Sequence, residues 1–160
     1  MNLGFEPVYN KNSKILILGS FPSVKSRKVQ FYYGNPQNRF WKVLGEILNE
    51  NFDVSTTQKI ATLQKHNIAL WDIVKCSNIV GSSDAYLIRN VSNKDVNNID
   101  ELIEKTKITK ILCNGKTSYL LCLKYVKSNV EIVCLPSTSS ACFKFDKSKW
   151  EKELKNIWKN

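Results

Sequence analysis

Histidine is almost missing from this chain: His66 is the only one in 160 residues. A Ser-His-Asp relay needs a histidine beside its nucleophile. His66 follows Leu63-Gln-Lys65 at an expected helix end, where a cationic ring suits the helix dipole, so relay chemistry is not expected. None of the five cysteines (Cys76, Cys113, Cys122, Cys134, Cys142) precedes residue 76, and none forms a Cys-x-x-Cys pair. Their odd number and irregular spacing argue against a disulfide framework and a zinc site, and no metal or cofactor is expected. No apolar run approaches the roughly 20 residues of a membrane span. The start, Met-Asn-Leu-Gly-Phe-Glu-Pro, lacks the basic and apolar regions of a secretion signal, so the expectation is a cytoplasmic monomer away from membranes. No Gly-x-Gly-x-x-Gly or Walker-type loop opens a helix, which argues against a domain for a small phosphorylated ligand. Acidic residues are also few: 14 stand against 24 Lys and Arg, for a formal charge of +10. The excess suits a polyanion such as nucleic acid, although a lysine-rich surface serving solubility would carry the same sign.

What is present is enough for one domain over residues 1–160 with a real core. Residues 1–13 are polar and read as a loosely packed N-terminal arm. Four short apolar runs, Lys14–Leu18, Ile68–Trp71, Ile108–Cys113 and Val130–Leu135, have the continuous character of parallel strands buried on both faces. Helical spacing lies between and after them: Phe40–Leu48; Ser55 or Thr56 to Lys65; Asp100–Lys105 behind an Asn98 cap; Thr117–Val126 with Leu120, Leu121 and Leu123 apolar. A last helix opens at Asp146 or Ser148 and runs to Trp158, with Trp150, Leu154, Ile157 and Trp158 inward, and Ser82 or Ser83 starts a short helical turn. Strands alternating with helices predict an α/β fold, a parallel sheet covered on both faces.

The connection from Gly19 to Trp41 is long for a strand-to-helix link and rich in polar and aromatic residues, which marks it as the floor and one wall of a site. The four strands end in Gly19-Ser20, Asp72, Asn114-Gly115 and Pro136-Ser-Thr-Ser139. In a parallel sheet all carboxyl ends face the same way, so these dispersed residues converge on one crevice.

Leu18-Gly-Ser-Phe-Pro22 and Tyr32-Tyr-Gly-Asn-Pro-Gln-Asn-Arg-Phe-Trp41, with Leu70-Trp-Asp72, Gly81-Ser-x-Asp84, Asn114-Gly115 and Leu135-Pro-Ser-Thr-Ser139, resemble the uracil-DNA glycosylase superfamily, closest to its hypoxanthine-DNA glycosylase (deoxyinosine glycosylase, family 6) branch. Three positions depart from that branch: Ser23 stands for Gly, Asn35 for His and Ser140 for Pro. The resemblance implies a three-layer αβα fold with strand order 2-1-3-4. It also implies a monofunctional enzyme that flips a deaminated base, hypoxanthine or uracil, out of DNA and hydrolyses its glycosidic bond. Some branches hold an iron–sulfur cluster with cysteines near the N-terminus; none is expected here. A non-catalytic nucleic-acid-binding module on the same scaffold is the alternative.

In the uracil enzymes an Asp or Asn of the first motif holds the water. Phe21 occupies that place here, and the resemblance moves the role to Asn38 as the catalytic residue, with a helix cap as the competing use of the same amide. Phe21, Tyr32 and Tyr33 are candidates for stacking on the base, whereas Phe40 falls in helical register with the core. Asp72 and Asn114 offer hydrogen bonds to the base edge. Ser137, Thr138 and Ser139 take the place of the superfamily's second motif, and with Ser20, Lys25 and Arg39 they are the expected contacts to the DNA backbone.

Overall fold

A computed structural model describes residues 1–81 and 83–155. The expected Ser82 start and the inward Ile157 and Trp158 lie outside the described residues. Strands β1 (Asn2–Leu3), β2 (Ile15–Gly19), β3 (Ile68–Asp72), β4 (Cys76–Ser77), β5 (Lys110–Asn114) and β6 (Glu131–Leu135) are joined by helices α1 (Val24–Val29), α2 (Phe40–Leu48), α3 (Thr56–Lys65), α4 (Asp84–Asn90), α5 (Ile99–Glu104), α6 (Lys116–Tyr125) and α7 (Lys147–Lys155). The main sheet runs β3-β2-β5-β6 and every pairing in it is parallel, which is the predicted 2-1-3-4 order.

Alternation along the strands sorts the core into two layers. Ile15 and Ile17 of β2, Ile68 and Leu70 of β3, and Leu112 of β5 pack with Phe40, Leu44, Leu63, Trp150 and Leu154 from α2, α3 and α7. Leu16, Leu18, Ala69, Ile111 and Cys113 face Leu87, Ile99, Leu102, Leu121 and Cys122 from α4, α5 and α6. The period of two thus makes a three-layer sandwich from strands that read as unbroken apolar runs. In α6 only Leu121 of the three expected leucines is buried; Leu120 and Leu123 face solvent. No helix among the described residues is long and apolar enough to cross a membrane.

Two expectations need correction. Residues 1–13 are not a loose arm: Val8 is buried and bridges Leu70 at the sheet edge, while β1 pairs with β4. The arm's carbonyls also take the Tyr32 hydroxyl (at Glu6), the Trp71 indole N–H (at Phe5) and the Gln64 amide (at Tyr9). The connection after β2 is not all loop either, because it contains α1. Ser23 caps that helix by accepting from Ser26 N at 3.2 Å, and the buried Ser26 hydroxyl accepts from Gly34 N at 2.9 Å. The departure at Ser23 therefore supplies a helix cap, for which serine is among the favoured residues.

Candidate active site

The strand order reverses between β2 and β5, and the crevice beyond their carboxyl ends is a cavity of about 360 Å³. Gly19, Ser20, Phe21, Tyr32, Tyr33, Asn38, Asp72, Asn114, Ser137, Thr138 and Ser139 all line it, so nearly every expected site residue meets there. Lys25 and Arg39 do not line it.

Asp72 sits at its floor. The residue is 5% exposed, and its Oδ2 is buried without a hydrogen-bond partner among the described residues. Burial pushes its carboxyl up to about 7. Gly19 makes room for it: a Cβ at residue 19 would lie 2.3 Å from Asp72 Oδ1 and 3.0 Å from the Tyr33 hydroxyl. The two strand ends are tied together by Ile73 N donating to Gly19 O (2.9 Å) and Val74 N to Ser20 O (3.0 Å).

Tyr33 has φ of 53°, a left-handed conformation uncommon for an aromatic residue. Its ring stacks on Phe40 with centroids 4.0 Å apart, and its buried hydroxyl has no well-formed hydrogen bond among the described residues, though Asn114 lies near enough to ease its ionisation. Burial and the Asp72 carboxyl hold that hydroxyl firmly protonated. Tyr32 takes the opposite course. It is 3% exposed, packs edge-on against Phe5 and Phe31, and donates to Glu6 O at 2.7 Å. Tyr32 belongs to the core while still lining the cavity wall. Phe21 is half-buried in the wall, with Arg27 lying over its ring at 5.6 Å.

Asn38 does not hold the cap position of α2, which belongs to Arg39 and carries no side-chain cap; its Oδ1 accepts from Phe40 N at 2.9 Å in a turn just ahead of the helix. That bond fixes the amide plane while leaving Nδ2 and a second lone pair on Oδ1 for another partner at the cavity. The turn and the chemistry therefore need not exclude one another.

Asn114 is the hinge of the opposite wall. Its Nδ2 donates to Thr138 Oγ1 at 3.0 Å, and its Oδ1 accepts from Thr138 N at 2.9 Å. The amide is thereby spent largely on the 136–141 loop, and Thr138 is 1% exposed. Ser137 and Ser139 accept from Ser139 N (3.1 Å) and Ala141 N (3.2 Å), which stiffens the loop. Arg39 holds it from outside. Its N–H donates to Thr138 O, and its guanidinium donates to Ser139 O (2.7 Å) and Cys142 O (3.3 Å) while lying over Phe145. The Arg39 guanidinium thus clamps the loop, and Lys25 is exposed on α1.

Sequence reasoning gave no role to Asp84 or Thr117, both of which line the cavity. Burial raises the Asp84 carboxyl, and a hydrogen bond from Thr117 partly offsets it. The Gly81-to-Asp84 motif pointed to the place, but nothing in it showed that Asp84, exposed at the start of α4, borders the cavity.

The comparisons agree with this geometry. The family described as the uracil DNA glycosylase superfamily matches residues 6–160. A hypoxanthine DNA glycosylase of Methanosarcina acetivorans is 36% identical over 155 residues, covering 92% of this chain and 94% of the relative. A hypoxanthine DNA glycosylase of Methanosarcina barkeri is 34% identical over 117 residues, 72% of each chain. A solution NMR structure from M. acetivorans, described as a candidate uracil DNA glycosylase, superposes with a TM-score of 0.78 at 34% identity over 98% of both chains.

Proposed function

The chain belongs to the uracil DNA glycosylase superfamily, and from that premise we propose that it is a DNA repair glycosylase that excises a deaminated base, hypoxanthine foremost, and leaves an abasic site. The observation that carries the reading is the cavity at the switch point, which has room for a flipped nucleobase and sets the Asp72 carboxyl and the Tyr33 hydroxyl in its lining.

The chemistry follows from what each group can do. Departure of the base leaves positive charge on the sugar, so a preorganised dipole beside it stabilises the transition state more than the ground state. Asn38 has no useful acidity and acts by orientation: with Oδ1 anchored by Phe40 N, its remaining lone pair and Nδ2 hold the attacking water against the sugar carbon. Asp72 and Tyr33 face the base edge, the carboxylate accepting from a base N–H and the hydroxyl donating to a carbonyl. Asn114 acts through Thr138 as a positioning residue for the loop that supports the extruded nucleotide. Ser20, Ser137 and Ser139 lie at the cavity wall, where small hydroxyls suit sugar and phosphate contacts. Lys25 and the general positive field attract the duplex.

The test is an excision screen with duplexes and single strands carrying inosine, uracil, xanthine or ethenoadenine. An alkali-labile break at inosine is expected. Salt-sensitive DNA binding without a break at any of the four would replace this reading with a binding module.

A further inference from the structure

The cavity at the strand ends has a neighbour. A second, open cleft of about 680 Å³ shares the 33–38 segment with it, and Tyr33, Asn35 and Asn38 line both spaces. A single stretch of chain therefore forms a common wall, and Asn38 borders each side of it. The cleft's other wall comes from α2 and the loop after it, where Lys42, Asn51 and Asp53 are exposed. Its chemistry does not suit a charged or flat ligand. Glu46 is paired with Lys147 at 2.8 Å, and Glu50 with Lys65 at 2.9 Å and the His66 ring at 3.0 Å. The Trp41 ring has Lys59 over it at 5.1 Å and Phe31 stacked against it at 5.9 Å. Most charge is matched within the protein and the indole is covered. What remains is small polar surface of the kind that water satisfies.

Base flipping creates a supply problem. The extruded base fits its pocket closely, and the duplex it came from lies across the mouth. Hydrolysis still consumes one water for each base released, and that water has to reach the sugar carbon beside Asn38. The second cleft leads to Asn38 without passing the base. Resting on the glycosylase reading above, we propose that this cleft is the binding and entry site of the nucleophile, a small neutral molecule such as water or a short alcohol. In the step it serves, the nucleophile's oxygen bonds to the sugar C1′. The C1′–N bond breaks with its electron pair staying on the base, and the nucleophile's proton passes to water in the cleft. Methanol in place of water leaves a methyl glycoside in the strand where hydrolysis leaves an abasic site.

The experiment runs single-turnover excision of an inosine duplex in methanol–water mixtures and weighs the product strands by mass spectrometry, methyl glycoside against abasic site. Lys42, four residues after Asn38, is the place to narrow the cleft: Lys42→Trp fills it, and Lys42→Ala, which loses the same charge, is the reference. The ratio of methanol to water captured is expected to fall about tenfold in Lys42→Trp against Lys42→Ala, the discrimination a tight passage shows toward one extra carbon. Lys42→Ala should keep the ratio of the unaltered protein within about twofold. A denaturant melt checks that each variant folds. Where Lys42→Trp does not, Asp53→Trp against Asp53→Ala obstructs the cleft from the loop after α2. A slower rate with an unchanged ratio, or no change in either, overturns the proposal, because the nucleophile then arrives by another way. Hydrolysis by the unaltered protein with no methyl glycoside also overturns it, since a cleft of this size admits methanol. If the unaltered protein releases no base from any duplex, the glycosylase reading itself fails and the proposal falls with it.

Discussion

Asn114 and Thr138 hold each other by two hydrogen bonds, amide nitrogen to hydroxyl at 3.0 Å and backbone N–H to amide oxygen at 2.9 Å. This pair joins the end of β5 to the loop after β6 and fixes one wall of the cavity. Asn114→Ala leaves the buried Thr138 without both partners. A loss of about 1–3 kcal/mol is expected from unsatisfied buried groups, visible as a lower denaturant midpoint, together with slower excision. Thr138→Val, which keeps the backbone donor, should cost less on both counts.

Gly19→Ala places a methyl 2.3 Å from Asp72 Oδ1. Overpacking of this kind costs about 1–3 kcal/mol, and displacement of the carboxyl should lower excision as well. Combining it with Asp72→Ala removes the clash. A double-mutant cycle in urea should then show the two substitutions to be strongly non-additive.

The pH dependence of stability has a definite sign. Asp72 binds its proton up to about 7 in the folded chain, against an ordinary 3.8. Between those values the folded state holds more protons than the unfolded state, so stability falls as pH rises and levels off above 7. The contribution is on the order of 4 kcal/mol across that window. Asp72→Asn should flatten this limb and melt higher than the unaltered protein at pH 8. It should also abolish any inflection near 7 in the excision rate, which an ionised acceptor for the base would produce.

Asn38→Ala should reduce excision of hypoxanthine by on the order of 10²-fold, the usual loss on removing one preorganised group, with duplex affinity little changed. It also removes the bond to Phe40 N, at about 1 kcal/mol of stability. Asn38→Asp separates the two effects, because its carboxylate still accepts from Phe40 N. Stability should return, and single-turnover rates report the chemistry alone.

Part of the site was legible before folding because strand ends are legible. A run of apolar residues stopped by Gly19, Asp72, Asn114 or Pro136 shows where each strand stops, and a parallel sheet sends all four stops to one side. Other features were not. Helix α1 carries no apolar repeat; its Val29 is 60% exposed, and it exists through the Ser23 cap and the buried Ser26. Tyr32 and Tyr33 are identical neighbours in one polar stretch. The left-handed turn at Tyr33 sends one ring into the core and the other onto Phe40 at the cavity.

Charge shows the same division. The excess of Lys and Arg is a property of the chain and fits its attraction to nucleic acid. Which cations remain available is decided by folding, since carbonyls of Ser139 and Cys142 reach Arg39 only when the loop closes over α2. Composition and periodicity settled the class of fold and the place of its crevice, because burial and strand direction are local consequences of apolar pattern. The protonation of Asp72 and the partners of Asn114 required tertiary structure, because the first is set by exclusion of water and the second by Thr138, 24 residues away.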